Sequence, residues 1–466
     1  MRTSKLVYVT TIWLLLTSGL TACNKLLDVS PSDETTIDDM FGDSALAEAA
    51  VAGIYNNMNR QGHFEWSGLS YNTARSADEA IWKSFFPDYF AANTLTYTDN
   101  DVRTMWSQGY SSLFTINTCI AGLQAATKLS QPQQSRLLGE AMFCRAFTYF
   151  NLVNTWGDAI PLITTPDAQA NQVAKSVPRQ QVYDQMIADL VQAQSLLTVV
   201  YAGTDRVRPN LMAVHALLAR VYLYQGRFGE AVTLSSTVIN SNLYTPLPKP
   251  AALFLRTGKE TIWQLMPGKD KLMEPVGDAL IYLGTPTMLT RELAAAFEPG
   301  DLRRKAWVTD QPLLGQSFTT ACKYKNLADN NDPVSNEYYI VLRLAEQYLI
   351  RAEANSRLGN TALAIADLNI IRERAGLLAL SASLDQQQCM LAVEQERRVE
   401  LCTEWGHRWF DLRRWPGLVN PSRTRADEIL GVLKPDWQPA SLWYPVPQRE
   451  LQLNPFLVQN PGYPAR

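Results

Sequence analysis

The sequence predicts a mainly α protein built from paired helices, with long irregular loop insertions between them. Three observations carry this. Apolar residues recur at three- and four-residue spacing along much of the 466-residue chain, the period of an amphipathic helix. Consecutive helical stretches are joined by short glycine-bearing turns, as at Gly226 and Gly359. Three stretches, 60–100, 243–335 and 416–466, are instead rich in Gly, Ser, Asn, Pro or short β-like runs. With 46% hydrophobic and 19% charged residues, the chain can fill a large core and is not disordered overall. A net charge of −3 excludes nucleic-acid binding as its main business.

Taken in order, the helices justify themselves locally. Ser44 is the expected N-cap of an Ala-rich helix reaching Asn59. A long helix is expected over Asp101–Leu129. A second, Gln133–Thr155, must stop at Gly157-Asp158. Pro178 opens a helix over Arg179–Leu197, and Pro209 precedes one over Asn210–Tyr224. Phe228–Ser241 follows Gly226. In that last pair, Leu218, Ala219, Tyr222, Gly226 and Ala231 stand at the offsets of a tetratricopeptide repeat. The physical reason is close packing: a small residue lets two helices approach and an aromatic fills the groove beside it. Leu344–Arg374 is a second pair, with Ala352, Gly359 and Ala364 at matching offsets but Asn355 at the aromatic position. Ala141–Leu197, with Ala146 and Tyr149, is a third with a longer loop. Such helix pairs build a curved scaffold, and long loops on a rigid scaffold are where binding concentrates. Thr261–Leu265 is the clearest β-like run of the middle segment.

The first 22 residues read as an address rather than as part of the fold. Arg2 and Lys5 precede a short apolar run, Leu6–Leu16, too short to span a membrane. Leu20-Thr21-Ala22-Cys23 then resembles the lipobox of bacterial lipoproteins, in which the cysteine thiol takes a diacylglycerol and becomes the new N-terminus. Cleavage there removes both basic residues and leaves 40 basic against 45 acidic ones. Later stretches lack the run of about 18 apolar residues that a spanning helix needs. The expectation is a soluble body held at the membrane by lipid on Cys23. Cys119, Cys144, Cys322, Cys389 and Cys402 remain, an odd number without a C-x-x-C pair, so neither a zinc site nor a full disulfide framework is expected. Cys144 and Cys402, in apolar helical patterns, read as buried free thiols.

Four segments together resemble the SusD/RagB family of outer-membrane lipoproteins of Bacteroidetes. They are Arg145-Ala146-Phe147-Thr148-Tyr149-Phe150-Asn151-Leu152-Val153 with Trp156-Gly157-Asp158; Tyr348-Leu349-Ile350-Arg351-Ala352-Glu353-Ala354 with Arg372-Glu373-Arg374-Ala375-Gly376; Glu396-Arg397-Arg398-Val399-Glu400-Leu401 with Gly406-His407-Arg408-Trp409-Phe410-Asp411-Leu412-Arg413-Arg414-Trp415; and Tyr444-Pro445-Val446-Pro447 with Gln459-Asn460-Pro461-Gly462-Tyr463. Trp405 separates Glu404 from Gly406 where many members have the two adjacent. The resemblance implies a SusD-like fold divided into a leader (1–22), an N-terminal region of helical repeats (23–240), a variable loop-rich insertion (241–335) and a C-terminal region (336–466). It also implies a surface lid on a SusC-like TonB-dependent transporter, lipid-anchored in the outer membrane and facing outward. Such a lid captures a glycan, or in some relatives a peptide, without catalysis or a cofactor.

The residues permit little enzyme chemistry. The three histidines, His63, His215 and His407, do not form a known catalytic motif, and the H-E-x-x-H, G-x-S-x-G and P-loop patterns are missing. His215 lies on an apolar helix face and reads as core. A glycosidase needs only two carboxylates at the right separation. Glu394, Glu396, Glu400 and Glu404 crowd one segment, but Arg397 and Arg398 stand beside them, so they read as ion-paired clamps. Asp411 with Arg408, Arg413 and Arg414 reads the same way. Asp99-Asn100-Asp101 and Asp329-Asn330-Asn331-Asp332 offer oxygen ligands for Ca²⁺ but lack EF-hand spacing, and read as solvated turns.

A glycan site needs aromatic faces for sugar C–H groups beside short polar side chains for hydroxyls. Residues 63–89 supply both: His63, Phe64, Trp66, Tyr71, Arg75, Asp78, Glu79, Trp82, Phe85, Phe86 and Tyr89. Tyr282 and Tyr324, in the middle insertion, are further candidates. Three readings follow: a glycan-binding lid, a peptide-binding lid marked by a groove of donors and acceptors, and a lipid-anchored glycosidase marked by two solvent-facing carboxylates roughly 5 to 10 Å apart.

Overall fold

The computed structural model describes residues 37–58, 68–82, 86–266, 287–313, 316–325 and 336–465. The principal helices are α1 (Ser44–Met58), α2 (Leu69–Ser76), α3 (Asn100–Ala125), α4 (Gln131–Trp156), α5 (Arg179–Leu196), α6 (Leu211–Tyr224), α7 (Phe228–Asn240), α8 (Leu344–Arg357), α9 (Thr361–Arg374), α10 (Gln386–Glu400), α11 (His407–Arg414) and α12 (Arg425–Leu433). The fold is mainly α, as the periodicity predicts. From α3 to α9 each helix packs on the next, so the chain winds as a continuous stack of antiparallel neighbours. None of the described helices is long and apolar enough to cross a membrane.

Local chemistry sets the helix ends. At α1 the cap is Asp43, not Ser44: its Oδ1 accepts from the backbone N–H groups of Ala45 and Leu46 at 2.8 and 2.9 Å, while the Ser44 hydroxyl reaches Gln133. Asp99 caps α3 in the same way, accepting from the Asp101 and Val102 amides. The first of the two clusters weighed as oxygen ligands is therefore a helix cap; Asp329–Asp332 lies outside the described residues. α4 ends at Gly157, whose φ of +62° favours glycine and where a Cβ would stand 2.9 Å from the Trp443 indole.

The pairs α6–α7 and α8–α9 turn through Gly226 and Gly359, both at positive φ. Ala219, Ala231, Ala352 and Ala364 are completely buried at the helix contacts. Tyr222 fills its groove, whereas Asn355 at the equivalent place is also buried and its carbonyl accepts from the Asn360 amide across the turn at 2.8 Å. In α4, the Tyr149 hydroxyl donates to the Ile163 carbonyl at 2.7 Å and pins the longer loop of the third pair.

Among the described residues, six short strands pair antiparallel. β1 (Ala80–Trp82) joins β3 (Thr287–Leu289), β2 (Thr261–Leu265) joins β6 (Tyr339–Arg343), and β4 (Val308–Leu313) joins β5 (Gln316–Ala321). The fully buried β2–β6 pair draws both flanks of the middle segment into the main core. There Trp263 takes edge contacts from Phe143 and Phe147 of α4. Trp405, the residue between Glu404 and Gly406, adopts φ +47° and stacks on Tyr339 at 4.5 Å while its indole N–H donates to the Ile340 carbonyl.

Candidate functional site

The carboxylates of the α10 region are inside the protein. Arg303 reaches Glu396 at 2.5 Å and Glu400 at 3.1 Å. Arg343 of β6 reaches Glu260, Glu400 and Glu404, and Lys323 also meets Glu404 at 2.5 Å. Glu396, Glu400 and Glu404 are almost completely buried. Burial pushes the Glu400 carboxyl up, but Arg374, Arg343 and Arg303 outweigh it and hold the group well below the usual range. Asp411 pairs with Arg397 at 2.7 Å and with Arg414 at 2.7 Å. These are the structural clamps that the charge spacing predicts. Cys144 and Cys402 are buried free thiols, and burial pushes the Cys402 thiol up to about 11.

The structure separates the predicted ligand residues into two groups. Arg75, Asp78 and Tyr324 are buried, which corrects their reading as surface contacts. Arg75 lies across the rings of Tyr71 and Phe90, at 4.1 and 4.6 Å, and meets Asp88 at 2.8 Å. Asp78 accepts two hydrogen bonds from Arg408, at 2.8 and 3.0 Å, and lies 2.8 Å from Arg398. Burial raises the Asp78 carboxyl, but Arg408 and Arg398 draw it below its ordinary value. Next to it, the Glu79 carboxyl has the Thr403 amide, at 3.2 Å, as its sole hydrogen-bond partner among the described residues, and burial with the neighbouring Asp78 charge pushes it up to about 8. Tyr324 packs against Phe254 and Tyr339, and its hydroxyl accepts from the Ile340 amide. Glycan contact requires solvent access, which these side chains lack.

The other group faces outward. Tyr71 and Trp82 are half-buried, Tyr89 is 49% exposed and Phe86 is 73% exposed. Asp88 organises them. Its Oδ2 accepts from the Trp82 amide at 2.8 Å, its Oδ1 takes Arg75, and the same oxygen caps the short helix Tyr89–Ala92 through the Ala91 amide at 3.1 Å. Behind this, Lys434 at the end of α12 donates to the Arg75 and Ser76 carbonyls, closing the C-terminus of α2, and to the Asn93 side chain. The β1–β3 pairing sets Trp82 opposite Thr287, and the Tyr71 and Thr287 hydroxyls lie 3.4 Å apart. The early aromatic stretch and the β3 strand inside the middle insertion are therefore drawn together. His63, Phe64, Trp66, Phe85, Tyr282 and the lipidation candidate Cys23 lie outside the described residues. Asp88 and Lys434, which hold the surface in place, were missed by the sequence reading; the Asp88-Tyr89 step is a recognisable cap signal, but Lys434 gives none.

Comparison with known proteins places this architecture. The SusD family model matches residues 286–463, and a second model, described as starch-binding and associating with the outer membrane, matches residues 25–223. A SusD-like protein of Formosa agariphila is 27% identical, over 98% of this chain and 99% of its own. A SusD-like protein of Bacteroides ovatus is 24% identical, over 93% of this chain and 85% of its own. Among solved structures, a SusD homolog from Bacteroides thetaiotaomicron superposes with a TM-score of 0.77 at 18% identity, covering 92% of this chain and 99% of that one. A laminarin-binding SusD-like protein superposes at 0.74 with 24% identity, covering 90% and 99%. The structural likenesses give the fold, and the two family models, which between them match most of the chain, give the family: the chain belongs to the SusD/RagB family.

Proposed function

We propose that the protein is a non-catalytic glycan-binding lipoprotein. It captures oligosaccharide at the cell surface on the Trp82–Tyr89 face and delivers it to a SusC-like TonB-dependent transporter of the outer membrane. The observation that carries this reading is the exposure of Phe86 and Tyr89 on a loop braced by Asp88. A preset aromatic surface suits the C–H face of a sugar, because neither partner must be reordered on contact. The binding named for one superposed relative, laminarin, is of the same chemical class. The burial of Glu396, Glu400 and Glu404 in ion pairs speaks against the glycosidase reading, which needs two carboxylates open to solvent. Anchoring through Cys23 belongs to the same proposal.

The test is calorimetry of the protein starting at Asn24 against a panel of polysaccharides and peptide mixtures. The expected result is binding to one glycan class, weakened at least tenfold in Phe86→Ala or Tyr89→Ala. Binding confined to peptides would replace this reading with the peptide-binding one. Glycan binding unchanged in both variants would remove the aromatic face from it.

A further inference from the structure

A cavity of about 330 Å³ opens between α5, the end of α6 and α11. Three arginines line it, Arg179, Arg413 and Arg414, and its lining contains no Asp or Glu. Arg414 is neutralised by Glu353 at 2.6 Å and Asp411 at 2.7 Å. The other two guanidinium groups take part in no ion pair among the described residues. Arg413 donates from Nη1 to the Asn154 carbonyl at 2.6 Å, and its guanidinium carbon lies over the Trp443 ring at 4.0 Å. Arg179 stands over the same ring at 5.5 Å, and its backbone amide, not its side chain, binds Asp158.

Two further facts show that the lining lacks something. The Nε of Arg413 and the hydroxyl of Tyr224 are both buried and have no hydrogen-bond partner among the described residues. They come from different elements, α11 and α6, and both residues line this cavity. A buried donor without a partner is costly, so two around one cavity call for an acceptor. The acceptor would also lie beside two guanidinium groups that form no ion pair among the described residues, one of which, Arg413, has its Nε buried. A water satisfies a donor but not a charge. A carboxylate or sulfate does both, and fits the edge-on donor geometry of a guanidinium.

The geometry points to a binding site for one small oxyanion, a carboxylate or a sulfate, held by Arg413, Arg179 and the Tyr224 hydroxyl. Both guanidinium groups stand near the Trp443 ring, so a ligand there meets positive charge beside the indole. The site draws on α5, α6 and α11 and uses none of the residues of the Trp82–Tyr89 face, so it stands whether or not that face binds glycan.

The test is titration of the protein starting at Asn24 with sodium glucuronate, acetate and sulfate at constant ionic strength, reading Trp fluorescence and thermal unfolding. Saturable binding of at least one anion is expected, with affinity reduced tenfold or more in Arg179→Gln, whose exposed side chain can be replaced without disturbing the core. Arg413→Gln should abolish it; should that variant unfold, Tyr224→Phe, which removes only the hydroxyl, should weaken binding severalfold. Glucuronate or acetate binding would identify a carboxylate site, and preference for sulfate a sulfate site. Absence of saturation by all three anions, or equal affinity in Arg179→Gln, would overturn the inference.

Discussion

Residues 75–79 and residues 82–89 are neighbours in sequence and opposites in construction. In the first stretch Arg75, Asp78 and Glu79 turn inward and are held by Asp88, by Arg408 and Arg398, and by the Thr403 amide. In the second, Trp82, Phe86 and Tyr89 face the surface at increasing or intermediate exposure. Polar groups are inside and rings outside, the reverse of the usual partition. The difference teaches how exposed rings are braced from within the fold. The charges tie this loop to α10 and α11, far along the chain, so that the rings can stay in water without collapsing onto the core. Breaking a charge should therefore damage the fold, whereas breaking a ring should damage only recognition.

The largest effect is expected for Asp78→Asn. It removes the carboxylate that Arg408 and Arg398 share and leaves Arg408 with Glu394 alone, a loss of about 3 kcal/mol. The unfolding midpoint in urea should fall accordingly. An unchanged midpoint would mean that the ion pair does not join the loop to the C-terminal helices. Asp88→Ala should cost less, about 2–3 kcal/mol, since Arg75 keeps its ring contacts while the Trp82 amide and the Ala91 cap are lost. Because Asp88 connects the two stretches, this variant should also lose glycan affinity; retention of full affinity at reduced stability would show that the rings need no bracing. Phe86→Ala and Tyr89→Ala should shift stability by no more than about 0.5 kcal/mol, as exposed positions do. Their tenfold loss of glycan affinity corresponds to about 1.4 kcal/mol. A ring variant that unfolds the protein would erase the distinction between the two stretches.

The same contrast explains what was legible in the sequence. The α6–α7 hairpin could be read because its signals are local: Ala219, Tyr222, Gly226 and Ala231 each act within one turn or one helix contact. The pairing of Thr261–Leu265 could not, since its partner Tyr339–Arg343 is dozens of residues away and strand pairing leaves no trace at either end alone. At the candidate site, the aromatic surplus of 63–89 was visible, but its sidedness was not. Asp78 looks like any loop carboxylate until Arg408, 330 positions later, is brought beside it. The clamp of Glu396, Glu400 and Glu404 lies between these cases: the helical spacing shows that the charges are paired, while Arg303, Arg343 and Lys323, the cations that meet them, come from other elements. Likewise Lys434 gives no sign in sequence that it closes α2.

Near pH 4 the smallest effect is expected at Glu79, the neighbour of Asp78. Glu79 is buried and forms no ion pair among the described residues, and its carboxyl is raised from its ordinary 4.5 to about 8. A raised folded value means that the folded state holds a proton the unfolded chain has released between those limits. The stability contributed by the neutral carboxyl is therefore complete below pH 4.5, declines as pH rises and is lost above about 8. Asp78 runs the other way: its lowered carboxyl contributes above its ordinary 3.8 and loses that contribution as pH falls. Glu79→Gln supplies a neutral group of the same shape that still accepts from Thr403. It should leave stability near pH 4 almost unchanged and raise it relative to the parent as pH approaches 8, so that the difference in unfolding midpoint between variant and parent grows with pH. A difference that stays flat from pH 4 to 8 would mean that Glu79 is ionised in the folded protein. Its negative charge would then lie beside Asp78, and the two arginines could not be assigned to Asp78 alone.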